Sequence, residues 1–270
     1  MLHQRVRLSL FVLAAGILLI VGCGDDSPEA PSLSGPRPET LTVETIGTSV
    51  QGKAIQSVSL GTGQSVVVVV GGLHTGDESL AADLAEHLAR YIGQHVTELP
   101  PAVRVVFIPR ANPDGYVNQT RINANNVDLN RNWPTADWVP EAIHGGEAVS
   151  GGPAPLSEPE TSALHDYLDA LAPVVVISLH CCGAIVEPNE SGQAMSIAAG
   201  YAKAAGYKLI EEWPYYEITG ELIESLNDLR TAAFDVELRE GATDTFAKNL
   251  SALKAVLKAV AQADAQASTN

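Results

Sequence analysis

His74, Asp77 and Glu78 follow directly on the five valines 66–70 and a Gly71-Gly72 pair. An imidazole beside carboxylates is a ligand combination that zinc accepts. A second histidine, His180, ends another apolar stretch at 174–179, and Glu237 is lodged in a third at 232–238. In a sheet flanked by helices, ligands and chemistry collect at the carboxyl ends of the strands. The cluster at 74–78 is only suggestive by itself; the downstream segments supply further groups of the kind such a metal needs.

Strand-like apolar runs occur at 41–46, 55–60, 65–70, 103–108, 174–179, 207–210 and 232–238. Several are continuous rather than alternating, as expected of strands buried on both faces. Helical periodicity appears at 79–92, 158–171, 193–205, 220–229 and 244–263, and Ser157 with Glu160 has the spacing of a capping box. Strands alternating with helices give an α/β architecture with a mixed or largely parallel sheet. Residues 111–156, rich in Asn, Gly and Pro, read as one long loop, and a loop of that length in a compact domain is usually functional.

The chain has 270 residues with 16 Lys+Arg against 32 Asp+Glu. Such an excess of negative charge argues against a nucleic-acid partner, whose phosphates it would repel. Arg5 and Arg7 precede a mostly apolar run at 8–22, shorter than a bilayer-spanning helix, which reads as the core of a signal peptide over 1–22. The run ends Leu19-Ile20-Val21-Gly22-Cys23, which resembles a bacterial lipobox with Cys23 as the lipidated residue. Acyl chains there would anchor an exported protein to a membrane, facing the periplasm or the cell surface. Residues 23–40, rich in Pro, Ser and acids, read as a flexible tether, and 41–270 as one domain. Cys181 and Cys182 are adjacent, and ring closure would strain the peptide between them. No disulfide is expected, so an apolar core must hold the domain together.

Four ordered segments, His74-Thr75-Gly76-Asp77-Glu78, Asn112-Pro113-Asp114-Gly115-Tyr116, Thr120-Arg121 continuing to Asn130-Arg131-Asn132-Trp133, and Ser178-Leu179-His180, are followed by Val236-Glu237-Leu238. Together they resemble the zinc carboxypeptidase family over about residues 65–241. The resemblance implies an α/β/α sandwich around a mixed, mostly parallel, twisted eight-stranded sheet. It also implies one zinc ion per chain, held by His74, Glu78 and His180, with a fourth position for water, the catalytic rather than structural pattern. The family spacing is His-x-x-Glu, whereas here it is His-x-x-x-Glu, so Asp77 stands at the usual offset. Glu78 is favoured for its longer reach, with Asp77 as the alternative.

By the same resemblance, Glu237 is the general base that takes a proton from the zinc-activated water. Arg121 stabilises the developing oxyanion. Asn130 and Arg131 clamp the terminal carboxylate of the substrate, a planar anion that suits a guanidinium fork. Tyr216 closes over bound substrate, with Tyr215 as its rival. Residues 220–222 fall where relatives build the pocket for the last side chain: Leu222 would favour an apolar residue and Glu221 a basic one. The alternative for Arg131 is a loop-ordering pair with Asp128. His87 and His165 are read as surface or satisfied core positions within helices, and His95 and His144 as loop residues.

The expected function is therefore a zinc metallocarboxypeptidase, monomeric, acting on a peptide or muropeptide and held to a membrane through its N-terminal lipid. The alternatives are a zinc amidohydrolase acting on N-acyl amino acids and a non-catalytic peptide-binding lipoprotein.

Overall fold

A computed structural model of the chain describes residues 41–227, 231–239, 243 and 245–268. The leader, the Cys23 lipid site and the tether expected over 1–40 lie outside the described residues. Among the described residues, no helix is long and apolar enough to cross a membrane.

Eight strands form one sheet: β1 (Leu41–Thr48), β2 (Ala54–Leu60), β3 (Ser65–Val70), β4 (Val103–Ile108), β7 (Val175–Cys181), β8 (Ile185–Pro188), β9 (Lys208–Leu209) and β10 (Ala232–Leu238). A separate hairpin joins β5 (Glu141–His144) to β6 (Glu147–Ser150). The sheet order is β1-β2-β4-β3-β7-β10-β8-β9. β4, β3, β7 and β10 run parallel in the middle, β9 is parallel to β8, and the pairings β1–β2, β2–β4 and β8–β10 are antiparallel.

Helices cover both faces. They are α1 (Ser79–Gln94), α2 (Pro113–Asn118), α3 (Pro159–Leu171), α4 (Ala194–Ala205), α5 (Leu222–Ser225) and α6 (Thr245–Ala267). The valine run shows why the layers form. Val67 and Val69 enter one core with residues of α1, α4 and α6, while Val66, Val68 and Val70 enter another with residues of α3 and α5. Because side chains alternate across a strand, a strand apolar at every position can be buried only between two layers. α1 supplies its share through Ala81, Leu84, Ala85, Leu88 and Ile92, one stripe at helical spacing.

The α3/α5 face changes character along the strands. On β7 it reads Val176, Ser178, His180, and on β10 Ala233, Asp235, Glu237; the opposite face stays apolar through Ile177, Leu179, Phe234 and Val236. Polar groups are thus gathered at the carboxyl ends of adjacent parallel strands.

Several elements depart from the sequence reading. The long loop at 111–156 contains α2, whose N-cap Asn112 accepts a bond from Gly115 N at 2.8 Å. It also contains the β5–β6 hairpin, turned by Gly145 and Gly146 at φ 58° and 88°. Positive φ at both central residues is what a two-residue hairpin turn requires. β8 was not expected, the strand at 207–210 shortens to Lys208–Leu209, and α5 covers only Leu222–Ser225 of the helix expected at 220–229. The capping box does not form. Glu158 is the N-cap of α3 without a side-chain cap bond, and Glu160 instead accepts from Val50 N at 3.0 Å and Asn123 Nδ2 at 3.1 Å.

Candidate active site

β3, β7 and β10 lie side by side, so the turn after β3 meets the ends of β7 and β10. His74 comes from that turn, His180 from β7, and Glu237 from β10 in register with His180. Glu78 closes a 3₁₀ turn at Gly76–Glu78. Three distances define the centre: His74 Nδ1 to His180 Nδ1 is 3.1 Å, His74 Nδ1 to Glu78 Oε1 is 3.4 Å, and His180 Nδ1 to Glu78 Oε2 is 3.5 Å. Zinc bonds of about 2.0–2.1 Å put tetrahedral ligand atoms about 3.3–3.4 Å apart, so the triad fits that ion. Among the described residues, only His74, Glu78 and His180 form such a ligand group. Asp77, at the offset usual in the family, is exposed and not part of that group.

The outward nitrogens fix both rings. His74 Nε2 is 2.7 Å from Asp128 Oδ1, and His180 Nε2 is 2.8 Å from Ser178 Oγ. A proton on each Nε2 leaves the Nδ1 lone pairs facing inward, the arrangement by which a second layer of groups orients metal-bound histidines. Burial opposes ionisation of Asp128, but His74, Arg121 and their hydrogen bonds outweigh it and hold the carboxyl well below its usual range. Glu78 is likewise held low, with burial outweighed by His74, His180 and Arg121. Arg121 donates Nε to Asp128 Oδ2 at 2.9 Å and Nη1 to Glu78 Oε1, linking the two carboxylates.

The triad opens into a cavity of about 300 Å³ that is also lined by Arg121, Asn130, Arg131, Tyr216 and Glu237. Burial, followed by an opposing effect of His180 and a reinforcing one of Glu78, pushes Glu237 up to about 7. Asn130 Oδ1 accepts from Leu222 N at 3.0 Å, which ties the 220–222 segment to the cavity wall. Arg131 is buried; its Nη1 bonds Asn130 O at 2.7 Å, while Nε and Nη2 reach Ile143 O only at 3.4 Å. Asp128 is engaged by His74 and Arg121, so the loop-ordering pair with Arg131 does not form. Glu221 lines the cavity, whereas Leu222 is core.

Two expectations are corrected. Cys181 and Cys182 are joined in a disulfide across a cis peptide that brings their Cα atoms to 3.0 Å. His144 is no ordinary loop residue: it ends β5, lines the cavity, and its Nδ1 lies 3.0 Å from Tyr216 Oη. Burial, then the Arg121 charge, lowers His144 to about 4. Tyr215 is exposed but also borders the cavity. Sequence reasoning missed Asp128 and Ser178 as histidine partners. The signal for Ser178 was its position two residues before His180, on the same face of one strand.

Comparison with known proteins gives the family and the fold. The profile of a family described as zinc carboxypeptidase matches residues 32–252. Murein peptide amidase A of Escherichia coli strain K12 is 40% identical over 78 residues, so the chain spans only 32% of that protein's length, and 26% of this chain is matched. The crystal structure of a murein-tripeptide amidase from Escherichia coli O157 superposes with a TM-score of 0.63 at 26% identity, covering 83% of this chain and 94% of that one. Bovine thrombin-activatable fibrinolysis inhibitor superposes with a TM-score of 0.73 over 86% of this chain and 94% of that chain, and at 17% identity this likeness concerns the fold alone.

Asp128→Asn should lower zinc affinity by about 10- to 100-fold, because the amide cannot supply the charge that orients His74. Competition with a chelator measures this, and an unchanged affinity would remove Asp128 from that role.

Proposed function

This chain belongs to the zinc carboxypeptidase family, and we propose that it is an exported enzyme hydrolysing the last amide bond of peptides, with peptidoglycan stem peptides as natural substrates. The observation that carries the activity is one cavity bordered by the histidine–glutamate–histidine triad, Glu237 and a buried arginine. The muropeptide reading is supported by the similarity to murein peptide amidase A and murein-tripeptide amidase. Export and a lipid on Cys23 are supported by the basic start, the apolar run at 8–22 and the lipobox-like Leu19–Cys23 string.

His74, Glu78 and His180 would hold the zinc, which would polarise the scissile carbonyl and acidify the attacking water. Glu237 takes a proton from that water on its carboxylate and passes it to the leaving nitrogen. Burial raises that carboxyl, while the charge of a bound metal would oppose the rise and favour the carboxylate that takes the proton. Arg121, fixed by Glu78 and Asp128, faces the carbonyl oxygen as negative charge grows there. Arg131 and Asn130 receive the terminal carboxylate. The long bonds from Arg131 to Ile143 O are near the limit of hydrogen bonding, so a carboxylate offers those donors a better acceptor. Tyr216, bonded across the cavity to His144, closes over the bound end.

A panel of free peptides, C-terminally amidated peptides and N-acyl amino acids tests this with the zinc-loaded protein. Turnover of N-acyl amino acids alone would make it a deacylase, and binding without turnover would make it a non-catalytic receptor. Glu237→Gln should keep its zinc and lose about 10²–10⁴-fold in kcat; a wild-type rate would take Glu237 out of the chemistry. Arg131→Ala should lose at least about tenfold in preference for free over amidated termini, as expected for charge-assisted bonds; an undiminished preference counts against the clamp. In cells, the wild-type chain should fractionate with membranes and Cys23→Ser should not. Equal partitioning of the two would refute the lipid anchor.

A further inference from the structure

Consecutive residues of one short strand reach the two groups proposed to hold the substrate's end. Burial alternates along β5: Ala142 is buried and His144 half-buried, while Glu141 and Ile143 are exposed. The Ile143 carbonyl accepts from Arg131 Nε and Nη2 at 3.4 Å, and His144 Nδ1 lies 3.0 Å from Tyr216 Oη. The rings of His144 and Tyr216 also meet edge to face, with centroids 5.7 Å apart at 84°.

Neither partner is fixed by regular structure alone. Tyr216 lies between β9 and α5 in a segment with neither helix nor strand. Among the described residues, His144 is the hydrogen-bond partner of its hydroxyl. β5 pairs with β6 and joins no other strand. The base of that hairpin is tied down by Asp128 N to Ser150 O and Gly151 N to Pro140 O, both 2.9 Å. Toward the turn, its hydrogen bonds to the rest of the domain, among the described residues, are those of Ile143 O and His144.

The chemistry of the pair gives the bond its direction. Burial, then Arg121, keeps His144 uncharged, with Asp128 opposing them only in part. Burial raises the Tyr216 hydroxyl against the pull of Arg131 and Arg121, so it stays a phenol. A phenol is the better donor and an imidazole lone pair the better acceptor, so Tyr216 donates to Nδ1 and the ring proton sits on Nε2. At Arg131 the bonds to Ile143 O are long, and a carboxylate, accepting charge-assisted bonds, would displace that carbonyl. The Ile143 carbonyl and the His144 Cα belong to one rigid peptide plane. A shift of the carbonyl therefore turns His144.

We propose that His144 is a positioning residue that holds Tyr216 across the cavity, and that the Ile143–His144 peptide ties this hold to the occupancy of Arg131. This rests on the preceding reading, in which Arg131 receives the terminal carboxylate and Tyr216 closes over the bound end. The β5–β6 hairpin then couples capture of the carboxylate to closure.

The test compares His144→Phe, Tyr216→Phe and the double variant on one peptide with a free and with an amidated terminus. Binding is measured in the zinc-loaded Glu237→Gln background and turnover in the zinc-loaded wild-type background. On the free peptide each single change should weaken affinity about 2- to 10-fold, as for one neutral hydrogen bond. KM should rise with kcat little changed. The double variant should lose no more than the larger single loss, since both changes remove the same bond. His144→Asn, whose amide oxygen can stand in the place of Nδ1, should keep most of the affinity. His144→Phe should hardly affect the amidated peptide, so the preference for free termini falls. Nitrogen NMR of the His144 ring should show the proton on Nε2 and a changed Nδ1 signal in Tyr216→Phe. Equal zinc content in all variants separates lost positioning from misfolding. Additive losses would overturn the hold on Tyr216, and equal losses on both peptides would overturn the tie to Arg131. Unchanged affinity in His144→Phe with turnover intact would overturn the role of His144 and leave the peptidase reading standing. The expected binding pattern without turnover would sustain the proposal and remove the activity. No binding and no turnover would remove both.

Discussion

With each ring's proton on Nε2, two imidazole nitrogens 3.1 Å apart, with a carboxylate closing the triangle at 3.4 and 3.5 Å, face one another with lone pairs. Such an arrangement repels itself unless a cation stands between the donors, so something else must hold the groups in place beforehand. The outward bonds do this: Asp128 on His74 and Ser178 on His180 fix the rings and the side on which each proton sits. Their placement depends in turn on β3 and β7 being neighbours in parallel register, with Val70 beside Ser178. Every later feature of the site is measured from that pairing.

The surrounding ionic network is better understood as a positioning device than as a source of stability. Arg121, Glu78, Asp128 and His74 are all largely removed from water, and buried ion pairs return little net free energy once desolvation is counted. Breaking one partner, however, strands the others. The two apolar cores on either side of the sheet supply the stability that lets this polar cluster persist. The division runs along single strands, whose amino ends are valine, alanine and isoleucine while the carboxyl ends of β7 and β10 carry His180, Asp235 and Glu237.

Much of this was legible in the chain. The valine run announced a strand buried on both faces, and His74, His180 and Glu237 marked strand ends that the sheet does bring together. What escaped was set by long-range contacts. β8 is four residues long and includes a proline, too short for a periodicity. Gly145-Gly146 between two short matching segments signalled the β5–β6 hairpin, but the signal was absorbed into a long polar loop, and His144 was set aside with it. The Ser157/Glu160 spacing suggested a local cap, and lost because Val50 and Asn123, far away in sequence, compete for the same carboxylate. The adjacency of Asp235 and Glu187 could not be read until β8 was known to pair with β10.

The residue added between His74 and Glu78 shows how spacing and geometry can be uncoupled. Thr75 is extended at φ −139° and ψ −162°, Gly76 turns left-handed at φ 71°, and the 3₁₀ turn then swings Glu78 inward while Asp77 remains exposed. The extra length is absorbed before the ligand is reached. Glycine is required at the turn for two reasons: the positive φ, and the approach of the 119–120 backbone, since a Cβ at Gly76 would lie 2.9 Å from Gln119 O. Thr75 adds a bond from Oγ1 to Thr120 O. That backbone leads directly into Arg121, which bonds Glu78. The same contact that accommodates the longer spacing therefore sets the distance between the metal ligand and its arginine, and the two would be expected to shift together rather than singly.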